Sequence, residues 1–124
     1  WKVSSSINND KHSLKKVHNN NSKGRWTSMK ILEEGYSIQI QLPEVEEIKG
    51  IQMDSSDYPA EYEVQCSADG QSWLSLGSFE GKKGSNIATF RVTKAKYVKV
   101  VSLVKGDTIW SIREMDLMST GYKK

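Results

Sequence analysis

The sequence predicts an all-β fold in which antiparallel strands form a sandwich or a barrel. Short runs with alternating apolar and polar residues recur at a spacing of roughly ten residues, which is typical of sheets with one buried face. Turn signals separate the runs, among them Asp69-Gly70, a dipeptide that strongly favours a hairpin. The 124 residues include only two prolines, and no long run has the period of a helix, which argues against a mixed α/β fold.

The predicted strands follow a polar first segment. Residues up to about Gly24 are rich in Asn, Ser and Lys, and we expect them to form a loop that includes at most a short helical turn. Gly50, inside the second apolar run, indicates a bulge or a close packing contact. The runs, in chain order, are YSIQIQL (36–42), VEEIKGIQMDS (45–55), EYEVQCS (61–67), SADGQSWLSLGSF (67–79), NIATFRV (86–92), KYVKVVSL (96–103) and SIREMDLMS (111–119).

Length and composition indicate a single domain, residues 1–124, which we expect to be part of a longer protein. The formal net charge of +3 is spread along the chain without a basic stripe, which argues against a nucleic-acid-binding surface. No apolar run approaches the length that a membrane span requires. The single cysteine, Cys66, alternates in step with Tyr62 and Val64, so we interpret it as a small buried apolar residue.

No set of residues in the sequence assembles a catalytic site. The two histidines, His12 and His18, both lie in the polar first segment. The sequence has no Gly-x-Ser-x-Gly turn for a nucleophilic serine, no phosphate-binding glycine loop and no zinc-binding motif. Carboxylate pairs such as Glu33–Glu34 fall in predicted loops, where solvated surface acids are the usual interpretation. A non-catalytic binding domain is therefore favoured.

Two aromatic residues in predicted loops are candidates for binding a sugar. Trp110 ends the loop KGDTI, and Tyr58 follows Asp57 in the loop DSSDYP. A flat ring can pack on the apolar face of a sugar while polar neighbours such as Asp57 bind its hydroxyl groups. For Trp110 the alternative is burial against the core, and we interpret Trp26 and Trp73 as packing residues.

Three segments resemble, in the right order, motifs of the discoidin family, also called coagulation-factor type C domains. They are YEVQCSADGQSW (62–73), AKYVKV (95–100) and SIREMDL (111–117). The resemblance is closest to the bacterial family-32 carbohydrate-binding modules. It implies a galactose-binding-like, antiparallel jelly-roll β-sandwich of about eight strands, with ligands bound by loops at one end. It also implies a secreted or cell-surface, non-catalytic module that targets an attached enzyme or surface protein to glycans.

The resemblance further implies positions for a metal ion and a sugar. Glu114 matches a closing-strand glutamate that helps to hold a structural calcium ion against the N-terminal loop, where Asn20 can add an oxygen ligand. His18 stands where that loop usually has an aspartate, so the calcium site lacks its usual anionic ligand. Arg25 is a candidate to pair with Glu114 or to replace an arginine that galactose-binding relatives often place before the YEV strand. The predicted ligand-binding residues are Trp110, Tyr58, Asp57, His18, Asn20 and Arg25, and the predicted metal ligands are Glu114 and Asn20.

Two other functions are alternatives at this point. A structural or protein-interaction sandwich without a working sugar site would explain the missing aspartate and arginine. A membrane-binding discoidin domain would generally have a disulfide that ties its ends and apolar loop tips, and one cysteine with polar loops argues against it. We expect a glycan as partner, no nucleic acid, no membrane insertion, and a monomer for the isolated domain.

Overall fold

Eight β-strands and no helix form in residues 2–6 and 26–119, which are the residues that this computed structural model describes. All strand pairings are antiparallel. The all-β prediction is confirmed, and no helix in the described residues could span a membrane. The strands are β1 (Lys2–Ser5), β2 (Trp26–Thr27), β3 (Ser37–Ser55), β4 (Glu61–Ser67), β5 (Leu74–Glu80), β6 (Gly84–Ser102), β7 (Ser111–Ile112) and β8 (Glu114–Ser119).

Two long strands, β3 and β6, form the centre of the sheet. The first half of β3 pairs with the second half of β6, and the second half of β3 pairs with the first half of β6. The register between them shifts between Gln41 and Glu46, and such irregularities bend a strand and increase its twist. The sequence predicts two separate runs, 36–42 and 45–55, where the structure has one bent strand.

The bends divide the sheet into two layers. One layer contains β1, the first half of β3, the second half of β6, β4 and β5, in that spatial order. The other contains the first half of β6, the second half of β3, and β8. The short strands β2 and β7 pair with each other in a separate ladder. This antiparallel sandwich confirms the predicted architecture.

The apolar core lies between the layers because alternate side chains of each strand point to the same face. Ile38, Ile40 and Leu42 of β3 are all buried, as their alternation predicts. They belong to the same core cluster as the buried residues of the other layer. Cys66 is also buried there, and its burial raises the pKa of its thiol. The interpretation of Cys66 as a small buried apolar residue is confirmed.

Gly50 lies at a bulge and also makes a close packing contact, the two features that its position in the sequence suggests. The register of β3 against both neighbouring strands shifts between Ile48 and Gly50, which marks a bulge. A Cβ atom at Gly50 would lie 2.9 Å from the carbonyl oxygen of Ala88 and 2.8 Å from the sulfur of Met118. Glycine is therefore required here by the close approach of β6 and β8.

The connection from β4 to β5 is the hairpin that Asp69-Gly70 predicts. Gly70 has φ +82°, a left-handed conformation that glycine adopts at little cost. The Asp69 carboxylate accepts hydrogen bonds from the backbone N–H groups of Ser72 (2.9 Å) and Gln71 (2.8 Å), and from the Ser67 hydroxyl (3.0 Å). Because these bonds stabilise the charged form, they hold the pKa of Asp69 below its usual value.

Candidate functional site

Several connecting segments meet at one end of the sandwich. The backbone N–H of Ser111 donates to the carbonyl of Asp57 (2.9 Å), and that of Gly81 donates to the carbonyl of Ala60 (2.9 Å). These bonds join the segment after β3 to the starts of β7 and of the β5–β6 turn. We call this region the loop end, and it comprises residues 28–36, 56–60, 81–83 and 103–113.

The side chain of Ser111 strengthens the connection. Its hydroxyl oxygen lies 2.9 Å from that of Ser56 and accepts a hydrogen bond from the backbone N–H of Asp57 (3.1 Å). Ser111 is buried, so water competes little for these bonds. The network therefore holds the segment after β3 firmly against β7.

An ion pair lies beside this network. The Nη2 atom of Arg113 is 2.7 Å from Oδ2 of Asp54, and Nε is 3.3 Å from the same oxygen. The Arg113 side chain is 54% exposed and that of Asp54 is 32% exposed. Solvent screens such a pair, so we expect it to add little to folding stability. Its main consequence is that the guanidinium group is held at the loop end.

Residues of the β5–β6 turn line two polar hollows. The first, which we call the serine hollow, has a volume of about 260 Å³. The second, which we call the neighbouring hollow, has a volume of about 460 Å³. Both are open concavities in which most of the lining residues are polar. The serine hollow is lined by Asp54, Ser55, Ser56, Lys83, Gly84, Ser111 and Arg113, and the neighbouring hollow by Glu80, Gly81, Lys82, Ser85, Asn86 and Ile87.

Asn86 fixes the conformation of the turn between these hollows. Its Oδ1 atom accepts a hydrogen bond from the backbone N–H of Lys82 (2.7 Å). Its Nδ2 group donates to the carbonyl oxygens of Lys82 (2.7 Å) and Gly84 (3.0 Å). Because the side chain is buried and both of its amide hydrogens are used, Asn86 supports the turn rather than donating to a ligand.

Trp110 is not available for stacking on a sugar, and this corrects the sequence-based prediction. Its side chain is fully buried, and its ring packs edge-on against Trp26 with 5.9 Å between ring centroids. Two hydrogen bonds join the backbone of Trp110 to Ser28. The backbone N–H of Trp110 donates to the Ser28 hydroxyl (3.0 Å), and the backbone N–H of Ser28 donates to the Trp110 carbonyl (2.8 Å). The alternative of core burial is therefore the correct interpretation.

The other two tryptophans near predicted turns make packing contacts. Trp26 is fully buried in the core, as predicted. Trp73 is half-buried, and its ring centroid lies 6.4 Å from that of Tyr97. The ammonium group of Lys99 lies 4.1 Å from the centre of the Trp73 ring, so a cation–π contact covers one face of the ring. These contacts agree with the interpretation of both residues as packing residues.

Tyr58 and Asp57 lie at the loop end, where the sequence predicts a ligand site. Both are partly exposed. The Tyr58 ring packs beside Gly81, since a Cβ atom there would lie 3.2 Å from the Tyr58 Cδ2 atom. Gly81 in turn lines the neighbouring hollow. Ligand contact by Tyr58 and Asp57 stays a prediction.

Glu114, the predicted calcium ligand, lies at the start of β8. It is paired in register with Asp54 of β3, while the next residue, Met115, is buried in the core opposite Met53. Glu114 therefore points away from the core, on the same side as Asp54. The carboxylate of Asp54 is bound to Arg113.

A calcium ion at Glu114 would need ligands beyond the acidic side chains of the described residues, such as carbonyl oxygens. Residues 2–6 and 26–119 contain no cluster of three or more His, Cys, Asp or Glu side chains that could hold a metal ion. The described side chains alone therefore do not fit calcium, which prefers six to eight oxygen ligands. The predicted residues His18, Asn20 and Arg25 lie outside the described residues. Calcium binding thus stays a prediction.

Sequence reasoning missed most of the serine hollow. Its serines carry no recognisable motif, and Ser56 and Ser111 are 55 residues apart in the chain. Arg113 belongs to the SIREMDL segment, but alternation along a strand does not indicate that its guanidinium binds Asp54. The one feature of the sequence that could have indicated this contact is that Arg113 and Asp54 both lie near the ends of predicted strands, where side chains of different strands can meet.

Comparison with solved structures shows which folds resemble this one. Chitosan-binding module 2 from the chitosanase/glucanase of Paenibacillus sp. IK-5, solved with chitotriose, has a TM-score of 0.81 and 22% identity, over 94% of this chain and 95% of that one. CpGH89CBM32-5 from Clostridium perfringens, solved with GalNAc-β-1,3-galactose, has a TM-score of 0.81 and 18% identity, over 95% and 94%. CBM32 of AlyQ, solved with 4,5-unsaturated mannuronic acid, has a TM-score of 0.75 and 16% identity, over 94% and 92%.

Comparison with protein families gives the classification. At these identities the structural likenesses establish the fold and leave the ligand of this chain open. No curated protein matches the sequence. The family described as the F5/8 type C domain matches residues 2–115, which is nearly the whole chain and includes the first two motifs that resemble the discoidin family and the first five residues of the third. The chain therefore belongs to the F5/8 type C domain family.

Proposed function

We propose that this chain is a non-catalytic carbohydrate-binding module that directs an attached enzyme or surface protein to a glycan. The observation that carries the proposal is the loop end, where two polar hollows lie on an F5/8 type C domain. Modules of the same fold have been solved with chitotriose and with GalNAc-β-1,3-galactose. These ligands support a glycan as the ligand class, and their diversity means that the fold does not specify one sugar.

The chemistry of the loop end supports binding without catalysis. The hydroxyl of Ser111 contacts the hydroxyl of Ser56 and the backbone N–H of Asp57. A nucleophilic serine instead needs a neighbouring base that accepts its proton. The serines of this hollow therefore have the environment of structural or ligand-binding groups. Any hydrolysis of the glycan is proposed to occur in another domain of the host protein.

The neighbouring hollow offers the two kinds of surface that a sugar requires. Ile87 is 56% exposed and provides an apolar wall. Lys82 and Glu80 provide charged groups that can bind hydroxyls, and the Tyr58 ring lies close by, beside Gly81. We propose that a sugar packs its apolar face on this wall while its hydroxyls contact the polar rim.

The mechanism of such a module is local concentration. A mono- or disaccharide offers little contact area, and its hydroxyl groups must be desolvated, so we expect weak binding at a single site. Attachment to a second domain converts this weak binding into a high effective concentration of that domain on the glycan. A secreted or cell-surface host protein would place the module where glycans are exposed, and we propose that location.

One observation favours a second candidate function. Trp110, the aromatic residue expected to stack on a sugar, is fully buried. A domain without an exposed tryptophan at its loop end could instead serve as a spacer or as a surface that binds another protein. The glycan-binding proposal is preferred because the loop end retains two hollows with polar linings.

A glycan-array screen of the isolated domain, with and without calcium, tests the proposal. We expect binding to a defined terminal sugar, and we expect Tyr58→Ala to weaken it. Tyr97→Ala is the matched control, since Tyr97 packs on Trp73 at the hairpin and away from the loop end. A folded domain that binds no glycan on the array or in solution titrations would favour the protein-interaction function.

A further inference from the structure

We infer that the serine hollow binds the negatively charged group of an acidic sugar, either a carboxylate or a sulfate. The inference rests on the proposed function, because it names the class of glycan that the module recognises. Its basis is the donor-rich lining of the hollow.

The charges around the serine hollow favour an anion. Lys83 and Arg113 are cationic, while Asp54 is the single acidic residue in the lining. Two N–H groups of Arg113 are directed at Asp54, which leaves further guanidinium hydrogens for a ligand. Lys83 is exposed and has no ion-pair partner in the described part of the chain. The lining therefore has one excess positive charge.

A buried hydroxyl in the same lining lacks a partner. Ser55 is 1% exposed, and its Oγ atom forms no hydrogen bond with any group in the described residues. A buried polar group without a partner costs free energy, and native proteins seldom leave one unsatisfied. Because Ser55 lines the hollow, a rotation of its side chain toward the hollow would let the hydroxyl donate to a ligand oxygen there.

A second hydroxyl hydrogen is also available. Ser56 and Ser111 share one hydrogen bond between their hydroxyl oxygens, and the backbone N–H of Asp57 donates to Ser111. Each hydroxyl has only one hydrogen. Whichever serine donates to the other, the hydrogen of the second serine is left over. The hollow thus contains two neutral donors in addition to its cations.

The size of the hollow fits one charged group or one sugar residue. Its volume of about 260 Å³ lies just below the range of roughly 300–1,000 Å³ for drug-sized ligands. An oxyanion suits this site because it only accepts hydrogen bonds, whereas a neutral hydroxyl would leave part of the donor set unused.

The test compares matched pairs of oligosaccharides by NMR titration of the isotope-labelled domain at low ionic strength. One arm pairs uronic-acid oligosaccharides with their carboxyl-reduced forms, and the other pairs sulfated oligosaccharides with their desulfated forms. We expect at least one acidic member to bind about tenfold more tightly than its neutral counterpart, which is the ratio expected from one charge-assisted hydrogen bond. We also expect salt to weaken this preference.

Variants connect the preference to the hollow. Lys83→Gln should abolish the preference for the acidic member, whereas Lys82→Gln should preserve it because Lys82 lines the neighbouring hollow. Ser55→Ala should weaken acidic binding several-fold without lowering the melting temperature, since it removes a hydroxyl that has no partner in folding. A residue with a purely structural role would not separate binding from stability in this way.

Four outcomes would overturn the inference. Equal binding within every pair would show that the acidic group is not recognised. An acidic preference that is unchanged in both Lys83→Gln and Ser55→Ala would place the anion outside the serine hollow. Binding of neutral members alone would reject the acidic ligand but leave the proposed function intact. Absence of binding by every oligosaccharide would reject the inference, and the glycan array would then decide whether the proposed function fails as well.

Discussion

The rings of Trp26 and Trp110 pack edge-on at 79°, with 5.9 Å between their centroids. Trp26 belongs to β2, and Trp110 directly precedes β7. The strands β2 and β7 pair with each other beside the two rings. Both rings are fully buried, so the pair closes the apolar core below the loop end. Trp110 therefore supports, from inside the core, the segment that follows it, which contains Ser111 and Arg113 of the proposed site.

We predict that Trp110→Ala destabilises the domain by about 3–5 kcal/mol, as expected for the removal of a large buried ring. The measurement is urea unfolding followed by circular dichroism. Trp110→Phe is the control, because it retains a ring and removes the indole N–H, which has no partner among the described residues. It should cost less. A stable Trp110→Ala variant that has lost glycan binding would instead indicate an exposed, ligand-stacking ring.

We predict that Gly81→Ala destabilises the domain by about 1–3 kcal/mol, the usual cost of overpacking. A Cβ atom at Gly81 would overlap the carbonyl oxygen of Pro59, so the two turns must separate to accept it. Thermal unfolding measures the effect, and Lys82→Ala, an exposed change in the same turn, should stay within about 0.5 kcal/mol of the parent. Equal melting temperatures for all three proteins would contradict the close packing of the turns.

We predict that Asp69 contributes to acid sensitivity. Its pKa in the folded protein is held below its usual value, so its stabilising effect is present above the unfolded-state pKa of about 4. The effect is lost as the pH falls through the lower folded-state pKa. Asp69→Asn should flatten the stability curve in this range, whereas Asp107→Asn, at an exposed loop position, should follow the parent. Parallel curves for parent and Asp69→Asn would contradict the assignment.

We predict that Glu114→Gln lowers the melting temperature only when calcium is present, because the substitution removes an anionic ligand of the predicted site. Differential scanning calorimetry in calcium and in chelator measures the difference. Glu47→Gln, an exposed change in β3, is the control and should behave like the parent under both conditions. An equal loss in chelator would indicate that Glu114 instead pairs with a protein group such as Arg25.

We predict a coupling energy of about 1 kcal/mol or less between Asp54 and Arg113, because both side chains are substantially solvated. A double-mutant cycle with Asp54→Ala and Arg113→Ala, followed by urea unfolding, measures it. The coupling should decrease further at high salt. A value of several kcal/mol that resists salt would mean that the pair is buried from solvent and has a structural role.

Most strands were predictable from local pattern, whereas β1, which lies in the segment predicted to form a loop, and the site were not. Alternation of Ile38, Ile40 and Leu42 shows which face of β3 is buried. The dipeptide Asp69-Gly70 is enough by itself to predict the hairpin between β4 and β5. The direction of Trp110 depends instead on Ser28, which lies 82 residues away in the chain. A loop position beside polar residues is compatible with an exposed ring or a buried one, so only the tertiary contact decides.

The residues that line the hollows could not be predicted from the local sequence either. Ser55 and Lys83 each have an ordinary sequence context, and their importance arises because β3 ends where β6 begins. The resemblance to discoidin domains implied that loops at one end bind the ligand, and this stays a prediction. It did not identify the lining residues, because those loops vary more than the strands that they connect.

The sharing of β3 and β6 between both layers has a consequence for unfolding. The middle strand of each layer, β6 in one and β3 in the other, continues into the opposite layer. Neither layer can therefore separate while the other remains intact. The pairing of residue 37 with residue 101 also requires distant parts of the chain to meet before the core can form, which slows folding. The domain should therefore unfold in one cooperative step. A pulling force applied to the two ends of the domain would leave it either fully folded or fully unfolded, with no half-open form in between.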